Sequence, residues 1–389
     1  MKNDLSQLLD RGTADVTVRK NLEKKLASGK KLRVKFGIDP TGSDLHLGHA
    51  VPLFKLKQFQ DAGHQVVLLF GGFTATIGDP TGKDSSRPAL TLEQTKENER
   101  NYLAQAGKIL DIENVELVNN RDWFEDMKPQ DFIRLMAQFT VPQMMERDMF
   151  QERLKRGGTV HCHELLYPML QGYDSVPIRA DVEIGGTDQL FNLLTARPLQ
   201  MAHDQAPQNV VTVPLIEGLD GVQKMSKSLG NYVGISDEAN EMFGKLMSIP
   251  DVLMLKYFEL LTTEDLEKMK DFIAKNPRNA KVYLAKTLVK FFHDAAAAEA
   301  AEADFVTKFV KKEIPDEMPE FKVSGEIGVL DLLSQITKFA TSNSEARRLI
   351  EGGGVSLDGE KIIDPKAVLQ FKGGEVLKVG KRKFAKLKV

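Results

Sequence analysis

Cysteine is all but missing: Cys162 stands alone in 389 residues. No internal disulfide and no cysteine-built zinc cluster can form, which fits a reducing compartment. Long apolar runs are also missing. No stretch approaches the ~20 residues that span a bilayer, and the opening MKNDLSQLLDRG lacks a signal peptide's apolar core, so a cytoplasmic protein without a membrane partner is expected. Neither charge sign is in excess, with 53 Lys plus Arg against 55 Asp plus Glu. That balance names no partner, and 42% hydrophobic residues argue against disorder.

Strand-like runs at 31–39 (KLRVKFGID), 65–70 (QVVLLF), 115–118 (VELV) and 209–215 (NVVTVPL) alternate with helix-like segments. Such alternation implies an α/β fold with a parallel sheet through about residue 220. From 236 to about 312 the strand signal vanishes and Ala, Lys and Leu recur at helical spacing. IPDEMPEF (314–321), two prolines among acidic residues, reads as a linker. The expected units are 1–235, 236–322 and 326–389. The third is basic, with eleven Lys or Arg against six Asp or Glu over 341–389.

Two segments carry the chemistry. In GIDPTGSDLHLGH (37–49), His46 and His49 lie three apart around Gly48, where a strand is expected to give way to a helix. On a helix spanning 46–60 both rings would leave the same side of the first turn, beside unpaired backbone N–H groups suited to phosphate. Gly48 would let a flat ligand approach the backbone. A helix start with two solvated histidines would give the same pattern. Far away, KMSKS (224–228) offers Lys224 and Lys227 on a glycine-flanked loop that could close over a polyphosphate. Taken alone, such a five-mer is usually a solvated charged loop.

Together the two segments resemble the signatures of class I aminoacyl-tRNA synthetases on a Rossmann-type domain. That resemblance implies ATP-dependent activation of an amino acid and its transfer to tRNA. In HCHELLYPMLQGYDS (161–175), Tyr167, Gln171 and Asp174 share one helix face, a polar stripe among apolar neighbours that wants partners. A satisfied core network is the alternative. Y-x-x-x-Q-x-x-D, GGTDQLFN (185–192) and GDPTGK (78–83) resemble the bacterial tyrosyl-tRNA synthetases nearly end to end.

By that resemblance, Asp79, Tyr167 and Gln171 would hold the α-amino group of L-tyrosine, Asp174 its phenol, and Gln189 would sit at the carboxylate. Thr41, His46, His49, Lys83, Arg87, Lys224 and Lys227 would meet the phosphates and ribose of ATP. Gly37, Asp39, Gly48, Gly186, Asp188 and Met225 would complete the nucleotide site, with Asp188 on the ribose. Magnesium would arrive on ATP's own phosphates, and no protein-bound metal is expected; His161, Cys162 and His163 are too few and point apart.

One departure stands out: many members of the family read Tyr-Cys before the glycine, and this chain reads Lys35-Phe36. Lys35 either points away from the pocket or pairs with Asp174. SEARRLIEGGGVSLDGEKI (344–362) resembles a small RNA-binding module, so Arg347, Arg348, Lys381, Arg382 and Lys383 would face tRNA(Tyr). The methionine-rich 131–150 reads as a core helix pair, near which the family forms homodimers. A tryptophanyl synthetase, a small-cofactor nucleotidyltransferase and a non-catalytic RNA-binding descendant are the competing readings.

Overall fold

The computed structural model describes residues 5–42, 44–81, 91–307, 318–323, 325–371, 373–380 and 383–389. They form two compact units, Met1–Glu302 and Ala303–Val389. Lys83, Arg87, Lys381 and Arg382 lie outside the described residues.

The first unit is built on a six-stranded sheet: β1 (Asp15–Thr17), β2 (Arg33–Ile38), β3 (Gln65–Phe70), β4 (Val115–Asn119), β5 (Val182–Gly186) and β6 (Asn209–Val213), in the order β1-β6-β5-β2-β3-β4. All neighbours run parallel except β1, which pairs antiparallel with β6. A parallel sheet has helices on both faces, so its central strands are apolar without alternation. Val66 to Phe70 of β3 are buried without a break, and so is all of β6. The order reverses between β2 and β5, and their carboxyl ends open the crevice where ligands bind in sheets of this kind.

The helix Leu47–Asp61 follows β2, Cys162–Tyr173 precedes β5, and Leu190–Ala202 follows it. The close approach of the last two is fixed by Gly172, where a Cβ would come within 3.0 Å of Ala196 N and Thr195 C. Beyond the sheet come helices Ala239–Ser248, Met254–Leu261, Leu266–Lys275, Pro277–Phe292 and Ala295–Phe305. Asp265 caps the third of these by accepting from the backbone N–H groups of Glu267 and Lys268; Asn276 caps the fourth, with Pro277 in its first turn. Phe54 of the Leu47–Asp61 helix meets Phe291 at 5.0 Å between ring centroids. No described helix is long and apolar enough to cross a membrane.

The second unit is small and mixed. β10 (Glu360–Lys361), β9 (Val355–Leu357), β12 (Val376–Val379), β13 (Lys383–Lys388) and β7 (Glu320–Lys322) form one sheet, and β8 (Glu326–Gly328) pairs with β11 (Val368–Gln370). Its core gathers Leu332, Leu333, Ile350, Val355, Leu377 and Leu387 under the helix Asn343–Glu351.

The methionine-rich 131–150 is not one helix pair. It forms the short helices Pro129–Met136 and Val141–Met145 and the start of Asp148–Lys155. Pro129 and Pro142 sit in first turns, where the missing N–H costs nothing. Leu135, Met144 and Phe150 are buried, while Ile133, Met136 and Val141 are exposed.

Candidate active site

His46 and His49 do structural work at the start of the Leu47–Asp61 helix. His46 is the N-cap residue: its Nδ1 accepts from Gly48 N at 3.1 Å, and His49 Nδ1 accepts from His46 N at 3.2 Å. The pair makes a reciprocal capping box from two imidazoles, with ring centroids 3.9 Å apart. Burial, then the positive neighbourhood of His49, Lys227 and Lys224, pushes the His46 imidazolium down to about 2. His46 is therefore neutral near pH 7. Because His46 is neutral and its Nδ1 accepts, its proton sits on Nε2, on the side away from the cap.

Gly48 answers to His46: a Cβ there would stand 2.8 Å from His46 Cε1 and 2.9 Å from Nδ1. Gly48→Ala is expected to destabilise the protein by about 1–3 kcal/mol by displacing the ring. At Gly244, inside Ala239–Ser248, nothing lies within 4 Å of the same methyl, and the identical change should stabilise by about 0.5–1 kcal/mol. Thermal melting of both variants checks the opposite signs.

The lysine loop lies against this helix start. Lys227 Nζ is 3.5 Å from Asp44 Oδ2 and 3.7 Å from the position of a Cβ on Gly42. Lys224 Nζ donates to Asp188 Oδ2 at 2.9 Å. The loop is fixed from below. Met225, buried, donates its N–H to Ile216 O at 2.8 Å; Ser226 N donates to Asn231 Oδ1; and Asn231 Nδ2 donates to Asp220. His46 pairs with Gly234 as an isolated antiparallel bridge, with Leu47 N donating to Val233 O and Ile235 N to Leu45 O. Imidazoles and ammonium groups more than 170 residues apart thus share one cleft. Thr41, at the mouth of β2, donates its N–H to Asp39 O at 2.7 Å, while Gly37 is the last residue but one of the strand and Gly186 the last of β5.

The polar stripe faces inward. Tyr167, buried, donates to Asp39 Oδ2 at 2.8 Å; burial and the carboxylates of Asp39 and Asp79 hold its hydroxyl well above the ordinary range. Asp39 also accepts from Thr74 Oγ1. Asn192 Nδ2 donates to Gln171 Oε1 and to Gln189 Oε1, both at 2.9 Å, and Gln189 Nε2 donates to Asp79 Oδ2 at 2.8 Å. Thr81 donates to Asp79 and accepts from Arg147 Nη2. Asp174, 2% exposed, accepts from Trp123 Nε1 at 3.0 Å and from Asn120 Nδ2 at 3.4 Å. Burial is the main reason its carboxyl is pushed up to about 7, opposed by Lys35 and the two donors and reinforced by Glu183.

Several of these side chains carried no motif: Asn120, Trp123, Arg147 and Glu183; Asn192 closes GGTDQLFN but was given no role there. Of the two placements expected for Lys35, the pairing with Asp174 is not the one found. Lys35 is fully buried and pairs with Glu183 at 2.8 Å, its neighbour across the sheet. Arg347 and Arg348 are exposed on the helix Asn343–Glu351, and Lys383 donates to Phe339 O at 2.5 Å.

The sequence matches the family described as tRNA synthetases class I (W and Y) over residues 27–310, and the chain belongs to it. Its curated relatives include a tyrosine–tRNA ligase of Francisella tularensis, 48% identical over 98% of this chain and 97% of that protein. Another, from Thermotoga maritima, is 49% identical over 98% and 96%. Within the family the chain falls among the bacterial tyrosine–tRNA ligases. Solved structures share the fold: the tyrosyl-tRNA synthetase of Archaeoglobus fulgidus complexed with L-tyrosine (TM-score 0.63, 22% identity, 76% of this chain, 98% of that one), and a truncated mitochondrial one from Aspergillus nidulans (0.65, 22%, 79%, 95%).

Proposed function

We propose that the tyrosine–tRNA ligase reaction runs in this cleft with the following division of work. The triphosphate of ATP lies between the His46–His49 helix start and the 224–228 loop, and Lys83 and Arg87 join Lys224 and Lys227 on the pyrophosphate. Lys224 leaves Asp188 and Lys227 leaves Asp44 to meet the phosphates. Both pairs are a quarter to a half exposed and so cheap to exchange. Asp188, released, takes the ribose hydroxyls, and Gly186 and Met225 flank the nucleotide.

Tyrosine enters with its ammonium group at Asp79, Gln171 and the free lone pair of Tyr167, its carboxylate by Gln189 and its phenol donating to Asp174. A carboxylate oxygen attacks the α-phosphorus in line, and the bond to the bridging oxygen breaks to release pyrophosphate. A terminal ribose hydroxyl of tRNA(Tyr) then attacks the carbonyl of tyrosyl-AMP, and AMP departs. No side chain becomes a covalent intermediate; rate comes from orientation and from donors aimed at the growing charge.

Magnesium comes with ATP and offsets phosphate charge. Among the described residues no three His, Cys, Asp or Glu side chains could hold it unaided.

The observation that carries this reading is the meeting of Lys227 with the segment before His46, above a polar stripe turned away from water. ATP–pyrophosphate exchange with tyrosine, phenylalanine and tryptophan tests it. Tyrosine alone should support rapid exchange, and folded protein giving none would reject the assignment.

Arg347 and Arg348 hold the phosphate backbone of tRNA. Arg347→Ala with Arg348→Ala should leave exchange unchanged, weaken tRNA binding, and flatten the dependence of log K on log salt by about two in slope. Exposed Ile133, Met136 and Val141 are the surface on which a homodimer pairs.

A further inference from the structure

The buried pair Lys35–Glu183 has no part in the chemistry just described, yet it lies directly under the phenol end of the tyrosine site. All three N–H donors of Lys35 are used: Glu183 Oε1 at 2.8 Å, Ser175 Oγ at 2.9 Å and Gln171 O at 3.3 Å. Nothing remains to touch a substrate. What the lysine holds is informative. Gln171 O belongs to the last turn of Cys162–Tyr173, where a cation suits the helix dipole, and Ser175 follows Asp174 immediately. Lys35 on β2 therefore bolts the carboxyl end of the substrate-reading helix to the sheet. Glu183 on β5 accepts from Ser175 Oγ and from Gln208 Nε2, so its second oxygen is also engaged.

Charge adds a second effect. Lys35 brings one positive charge and Glu183 and Asp174 two negative ones into a volume closed to water, where charges act strongly on each other. The titratable and charged groups facing Asp174 are Lys35 from β2, Glu183 from β5 and Tyr167 from its own helix, with Asp39 and Asp79 on the far side of Tyr167. Among the described residues Lys35 is the cation that acts on Asp174 itself, while Arg147 acts farther out, on Asp79 and Tyr167. A carboxylate that must accept a phenol O–H depends on Lys35.

We propose that Lys35, steadied by Glu183, is a positioning and specificity residue. It fixes the end of the Tyr167 helix and supplies the positive charge that lets Asp174 meet the tyrosine phenol as an acceptor. This rests on the reading of Asp174 as the phenol partner.

The test is tyrosine- and phenylalanine-dependent pyrophosphate exchange from pH 6 to 9 for wild type, Lys35→Met, Glu183→Gln and the double variant. In wild type, kcat/KM for tyrosine falls on the acid side as Asp174 takes up a proton. Lys35→Met should move that limb to higher pH by about one unit and cut the preference for tyrosine at pH 7 by about tenfold, in KM for tyrosine and not in KM for ATP. Glu183→Gln should move the limb the other way, to lower pH, because it removes an anion. A purely structural strut would not give opposite shifts from the two halves of one pair.

Should Lys35→Met fail to fold, the double variant leaves no unpaired charge, and its limb lying above that of Glu183→Gln supports the same conclusion. An unmoved limb and unchanged preference in folded Lys35→Met, or both single variants shifting alike, overturns it. Wild type without tyrosine-dependent exchange would instead bring down the tyrosine reading itself.

Discussion

Asp174→Asn is expected to lower kcat/KM for tyrosine by about two orders of magnitude and, in the same protein, to remove a pH-dependent weakness in folding. The activity loss follows from donor and acceptor bookkeeping. Trp123 Nε1 and Asn120 Nδ2 already donate to the carboxylate, and the phenol would be a third donor. An amide keeps one acceptor oxygen and presents N–H at the other position, so one donor always meets another. Losing a charge-assisted hydrogen bond in a closed site costs about 2–3 kcal/mol. The stability effect has a definite sign. Unfolded, the Asp174 carboxyl ionises near its ordinary 3.8; folded, burial delays this to about 7. The folded state thus holds the proton longer, and the contribution is complete at low pH and lost as pH rises through 7. Between pH 5 and pH 8 this group alone takes about 2–3 kcal/mol from the wild type. Asn has no such loss, so the stability difference between variant and wild type should move in the variant's favour by that amount. Exchange kinetics with thermal melts at both pH values measure the two halves separately. A constant difference in stability would mean that Asp174 is not buried as an acid.

Much of the sheet was legible because parallel strands covered on both faces show as unbroken apolar runs. QVVLLF gave β3 at its observed ends, and VELV and NVVTVPL gave β4 and β6 to within two residues. β5 escaped because VEIGG holds two glycines and an acid. Its acid is tolerable only because Lys35 stands opposite it, and a partner 148 positions away leaves no local trace. β1 escaped by being three residues of an edge. At the site, residues in dense motifs could be read, while those that support them could not. Asn120 and Trp123 look like ordinary loop residues until β4 carries them beneath Asp174. The imidazoles show the same limit: spacing predicted two rings on one side of a helix start, whereas the capping hydrogen bonds depend on the backbone turning at His46.

Lys227→Met should reduce kcat for pyrophosphate exchange by about 10²–10³-fold while leaving KM for tyrosine and the melting temperature near wild type. The argument begins with what holds the loop. Met225, Ser226 and Asn231 make its backbone contacts, and the Gly234 bridge to His46 closes it; the Lys227 head takes no part in these. Its ion pair with Asp44 is about one-third exposed on the lysine side and half on the other, a contact worth ~0–1 kcal/mol. Folding therefore loses little. The transition state loses a preorganised cation where charge builds on the departing pyrophosphate, a contribution of about 3–4 kcal/mol when one such donor is removed. Because the charge grows only as the bond breaks, the loss belongs in kcat and not in amino-acid binding. Asp44→Asn is the matched control: it frees Lys227 without removing its charge and should leave kcat within a few-fold of wild type. A variant that instead raised KM for tyrosine with kcat intact would place Lys227 at the amino acid and detach the loop from the leaving group.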